Sequence, residues 1–157
     1  MGSILHLRDR IRARPMLARS KDRARRTPRI LLAYAGTTER EYLAVFLASR
    51  GYDVTACGNG KEALAHLATA RFDLVVSGIL MPQMDGLELL RALRRQDGPP
   101  VIAIVDGAGK MNAIYLRNAT LGGAVATHYF EEAGNALLDS ADWILRGRDA
   151  VIRDVVW

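Results

Sequence analysis

Cysteine is almost absent. Cys57 stands alone in 157 residues, so no internal disulfide can staple the fold, and at the end of an expected strand it reads as a buried, inert thiol in a reducing compartment. No stretch approaches about 20 consecutive apolar residues, which excludes a membrane-spanning helix from the sequence pattern. The histidines His6, His66 and His128 are scattered, and with one cysteine they form no zinc-ligand spacing. The glycines of Cys57 to Lys61 and of Gly107 to Lys110 lack both the first glycine and the Ser/Thr of a phosphate loop. No motif presents a Ser/His/Asp nucleophile, and Gly2 is followed by His6 where a myristoylation signal needs Ser or Thr. No repeat of about 20 to 50 residues is present. No catalytic residue, metal site, cofactor or lipid anchor is therefore expected, and the chain reads as a non-enzymatic cytoplasmic protein.

What is present is a single domain's worth of chain, 50% hydrophobic and 25% charged, with its charge unevenly placed. Residues 1–29 hold ten Arg/Lys against two Asp, a net of +8, whereas residues 30–157 hold twelve against fifteen, a net of −3. In the first part of this arm Ile4, Leu5, Leu7 and Ile11 fall at helical spacing among Arg8, Arg10, Arg12 and Arg14, and Pro15 ends the pattern. Residues 18–28, with Arg19, Lys21, Arg23, Arg25 and Arg26, have almost nothing to bury and read as a solvated linker. The arm has the outline of an Arg-rich targeting peptide, but Asp9 and Asp22 weaken that reading. Residues 1–28 are thus expected to be a basic arm, 29–146 a folded domain, and 147–157 an apolar tail. The tail's Val151, Ile152, Val155, Val156 and Trp157 are expected to dock rather than face water.

From Arg29 onward strand and helix alternate. Apolar strands are expected at Ile30 to Ala35, Tyr52 to Cys57, Phe72 to Ser77, Val101 to Val105 and Ala124 to His128. Helices are expected at Thr38 to Arg50, Lys61 to Ala70, Leu87 to Gln96, Met111 to Leu121 and Glu131 to Leu145. Thr38 with Glu41 and Asp85 with Glu88 have capping-box spacing, Gly51 suits a C-terminal cap, and Gly98-Pro99-Pro100 is a breaker. Five strands alternating with five helices predict a flavodoxin-like doubly wound parallel sheet of order 2-1-3-4-5 with helices on both faces.

The stretch Asp73 to Gly86, DLVVSGILMPQMDG, resembles the third strand and following loop of the receiver domain of bacterial two-component response regulators. The resemblance covers roughly Arg29 to Leu145. It implies an acidic pair after the first strand holding Mg²⁺, an aspartate after the third that takes a phosphoryl group, a hydroxyl after the fourth and a lysine after the fifth. This chain departs at each position: Tyr34 and Ala35, Gly78, Val105 and Tyr129 stand there instead. Ala126 stands near the position of the family's coupling aromatic. Asp106 and Glu39, near the vacated pocket, read as surface or capping groups.

The expectation is a pseudo-receiver that cannot be phosphorylated and works as a protein-interaction module. An unidentified protein partner or a second copy would meet the face made by the fourth helix, fifth strand and fifth helix, about Met111 to Leu145. The alternative is binding of nucleic acid or an anionic membrane through Arg8, Arg10, Arg12, Arg14, Arg19, Lys21, Arg23, Arg25 and Arg26, with the receiver fold as scaffold.

Overall fold

The structure, a computed structural model, describes residues 26–107 and 109–147. The expectations for the arm up to Arg25 and for the tail beyond Gly147 lie outside the described residues. Five parallel strands, β1 (Arg29–Ala33), β2 (Asp53–Cys57), β3 (Leu74–Gly78), β4 (Val101–Val105) and β5 (Ala126–Tyr129), form one sheet of order β2-β1-β3-β4-β5. Among the described residues five helices connect or follow them: α1 (Thr37–Ser49), α2 (Gly60–Thr69), α3 (Gly86–Arg95), α4 (Lys110–Leu121) and α5 (Phe130–Arg146).

Both faces of the sheet are covered, which is why the strands read as continuous apolar runs. Alternate side chains of each strand enter two separate cores. Leu31, Ala33, Val75, Val101 and Ala103 pack under α2, α3 and α4, whereas Ile30, Leu32, Leu74, Val76, Ile102 and Ile104 pack under α1 and α5. β3 and β4 are buried along their whole length. Burial of this kind stabilises by about 25 cal/mol per Å² of apolar surface.

Helix starts follow local chemistry. Asp85 caps α3, its carboxylate accepting from Glu88 N at 2.8 Å, as its sequence position suggests. Asn59 caps α2 by accepting from Glu62 N at 2.9 Å, and Glu62 accepts from Gly58 N at 2.8 Å. That cap went unread because its spacing was hidden in a glycine-rich stretch. The Thr38/Glu41 capping box does not form: α1 starts one residue earlier, at Thr37, with Gly36 in the N-cap position and no side-chain cap. Gly51 closes α1 with φ +87° and its N–H donates to Ala48 O at 2.9 Å. β1 ends at Ala33, two residues before the end of its apolar run, and the Tyr34 N–H makes the last bond to β2, to Cys57 O at 3.0 Å.

The lower end of α5 is tied to the turn between α1 and β2. Buried Asp142 accepts from Arg50 Nη1 at 2.5 Å and from the Tyr52 hydroxyl, with Arg146 Nη1 at 3.8 Å. Arg146 also donates to Arg50 O at 2.7 Å and lies 4.5 Å over the Tyr52 ring. Near its upper end α5 is kinked, Gly134 having non-helical φ −7° and ψ −107°.

Candidate functional site

In an open parallel sheet the loops at the carboxyl ends of the strands are where chemistry is placed. Tyr34 follows β1, Gly78 ends β3, Val105 ends β4 and Tyr129 ends β5. The register sets Ala33 beside Ser77, Gly78 beside Ile104, and Val105 beside Tyr129, so these sequence-selected positions form one row across the sheet. Ala35 is exposed beyond them.

The β3–α3 loop returns tightly onto the end of β3. Gln83 adopts a left-handed φ of 65°, and Met84 N donates to Pro82 O at 2.7 Å, reversing the chain. Gly86 N then donates to Ile79 O at 2.8 Å. A Cβ at Gly86 would stand 2.1 Å from Gly78 O, so only glycine permits this approach.

Gly78 leaves an open lane above β3, and Tyr34 uses it. The Tyr34 side chain is 3% exposed, and a Cβ built on Gly78 would lie 3.0 Å from Tyr34 Cδ2 and 3.2 Å from Cε2. The ring therefore occupies the space that a side chain at position 78 would take. β1 and β4 are not neighbours, since β3 lies between them, yet the Tyr34 hydroxyl crosses over β3 and donates to Asp106 Oδ1. Arg40 Nη1 donates to Tyr34 O at 2.7 Å, and the Tyr34 ring lies 5.9 Å from that of Phe130.

The loop that carries Asp106 is held from several sides. Glu131 Oε1 accepts from Gly107 N at 3.0 Å, and Asn112 Nδ2 donates to Asp106 O and, at 2.8 Å, to Gly107 O. Burial raises the Tyr34 pKa, and the hydrogen bond and negative charge of Asp106 with the charges of Glu39 and Glu131 add to the rise. The phenol stays protonated and serves as a donor.

Asp106 is thus more than a surface carboxylate, and Glu39 acts electrostatically on the same phenol. The signal for this was the joint change at two positions: a long hydroxyl-bearing ring after β1 and a glycine after β3. Cys57 is buried, as expected, its thiol pushed up to about 11 by burial. His66 belongs to α2, whereas His128 Nε2 lies 2.9 Å from Ser140 Oγ. Among the described residues no group of three or more His, Cys, Asp or Glu is arranged to hold a metal ion. No helix among them is long and apolar enough to cross a membrane.

Residues 30–125 match the family model of the response regulator receiver domain. The chain is 41% identical over 76 residues to the transcriptional activator protein PfeR of Pseudomonas aeruginosa, a match covering 48% of this chain and 25% of that protein. It is 32% identical over 76 residues to the DNA-binding response regulator MtrA of Mycobacterium tuberculosis, covering 48% and 33%. The chain therefore spans about a quarter to a third of these curated relatives. Among solved structures it is similar to the receiver domain of a Syntrophus aciditrophicus histidine kinase, at TM-score 0.69 and 29% identity over 77% of this chain and 92% of that one. A CheY-like receiver domain protein of Methanospirillum hungatei matches at TM-score 0.65 and 26% identity, over 82% and 99%. The strand order, the β3–α3 loop and these matches agree, and the chain belongs to the response regulator receiver domain family.

Proposed function

We propose that this receiver domain works without phosphorylation, as a cytoplasmic protein-interaction module in bacterial two-component-type signalling. The observation that carries the reading is the Tyr34 ring over Gly78. A phosphorylating receiver needs a carboxylate nucleophile at the end of β3 and open space above it. Here the nucleophile is missing and a buried phenol fills the space. The residues at this end of the sheet also do not fit Mg²⁺, which needs hard oxygen ligands. After β1 stand a phenol and a methyl group, and the neighbouring carboxylate of Asp106 already accepts the Tyr34 hydroxyl. Val105 and Tyr129 supply neither the hydroxyl nor the cation that would meet phosphoryl oxygens.

The test is incubation with acetyl phosphate or a histidine kinase and Mg²⁺, followed by borohydride trapping and mass spectrometry. No modified carboxylate is expected. Acid-labile phosphate at Asp73, Asp85 or Asp106 would overturn the reading. Gly78→Asp alone is not expected to restore acceptance, because Tyr34 occupies the space and no carboxylate follows β1.

For the partner, the reading favours the face of α4, β5 and α5. Met111, Ile114, Leu121 and Val125 are exposed there, giving apolar surface that a protein partner or a second copy would cover. A second reading rests on the +8 of residues 1–29: binding of nucleic acid or an anionic membrane through the arm. If six or more phosphates are contacted, affinity should fall by orders of magnitude between about 50 and 200 mM salt. A chain beginning at Thr27 should not bind; binding that it retains would refute the arm's role.

A further inference from the structure

Between α1 and α5, exposed Tyr42 and Val45 border the partly buried rings of Phe46 and Phe130, which pack against the core. Tyr42 is 48% and Val45 69% exposed. The Tyr42 ring lies 5.1 Å from Phe46 and 5.8 Å from Phe130, which in turn packs on Tyr34. Apart from buried Asp142, the two helices carry five carboxylates, Glu39, Glu41, Glu131, Glu132 and Asp139, against two arginines. Both arginines are engaged, Arg40 with Tyr34 O and Arg146 with Arg50 O and Asp142. Glu39 and Glu131, with Asp106, act together on the Tyr34 phenol, so negative charge gathers beside the rings.

An apolar face framed by carboxylates suits a segment that is apolar on one side and cationic on the other. This chain contains such a segment when extended rather than helical: Leu5, Leu7 and Ile11 fall on one side and Arg8, Arg10, Arg12 and Arg14 on the other. We propose that residues 4–14 dock on the α1–α5 face of their own molecule, the apolar side chains against Tyr42 and Val45 and the arginines toward the carboxylates. The tether allows it. Residues 15–28 span about 45 Å when extended, more than twice the roughly 20 Å length of α1. Docking in this way withdraws the arginines from external phosphates, and salt or a competing polyanion releases them. The proposal is independent of whether the domain accepts a phosphoryl group.

A nitroxide attached to Ser3→Cys in the full chain tests it, since the buried Cys57 does not compete for the label. In dilute low-salt solution the label should cause loss of amide signal at Tyr42, Val45 and Glu132 while sparing Arg91 and Arg95 on α3. The loss should disappear in Val45→Arg, a change at an exposed position, and at about 1 M salt, where the screening length is about 3 Å. Signal loss spread evenly over the surface, or unchanged in Val45→Arg, would overturn the proposal. Loss appearing only when a labelled chain is mixed with a separate isotope-enriched chain would assign the face to a second copy's arm, and overturn it equally.

Discussion

Tyr34 and Gly78 act as a pair, and substitutions at each should reveal it. Tyr34→Phe keeps the ring over β3 but removes the bond to Asp106; it should cost about 1 kcal/mol in denaturant unfolding with the fold unchanged. Because the folded-state pKa of Tyr34 is raised above its ordinary 10.0, its contribution is complete below pH 10 and is lost as pH rises beyond it. Tyr34→Phe should therefore lessen the alkaline fall in stability. Gly86→Ala meets backbone rather than a movable side chain, so it should cost about 1 to 3 kcal/mol or more, read as a lower melting temperature. Burial lowers the pKa of His128 from 6.5, so its contribution is present above that value and lost as pH falls below it. His128→Gln should flatten the acid limb of the stability curve. At this scale the motif's fixed spacing marks a row of strand-end positions, of which Tyr34 and Gly78 meet, whereas Val105 and Tyr129 pack in the core under α2, α3 and α4 and Ala35 is exposed. It did not tell that Tyr34 reaches Asp106, since that contact joins residues 72 apart and depends on a side chain missing from a third position.

Among the elements, the caps separate what spacing alone can say from what it cannot. Asp85→Ala should destabilise by about 1 kcal/mol, because the carboxylate accepts the Glu88 N–H that would otherwise lack a partner. Thr38→Ala should stay within about 0.5 kcal/mol, since Thr38 makes no cap; equal losses for the two in thermal unfolding would contradict this assignment. The same S/T/D-x-x-E spacing occurs at both places. The difference lies in where the helix starts: α1 begins at Thr37 with Gly36 as N-cap, so Thr38 is already inside the first turn. β5 starts two residues later than its apolar run: the Ala124 N–H bonds back to Ala119 O of α4, and the first bond to β4 is that of the Val125 N–H to Val101 O.

For the whole molecule, the alternation of apolar runs with amphipathic segments was enough to read strand number, helix number and strand order, because right-handed crossovers leave few topologies. Long-range ties were not legible, and the tie at Asp142 is the plainest example. Its partners Arg50 and Tyr52 are about ninety residues away, and nothing local marks an aspartate in α5 as buried. Asp142→Ala should cost about 3 kcal/mol or more in equilibrium unfolding, because Tyr52 and two arginines lose their shared acceptor. This tie also governs how the molecule can deform. A helix anchored at one end by a buried ion cannot slide along its axis without stranding that charge, so a push arriving at the Phe130 end cannot travel down α5 as a piston stroke. The place where such a push should be absorbed is Gly134, whose backbone is already non-helical and joins the first turn to the anchored remainder.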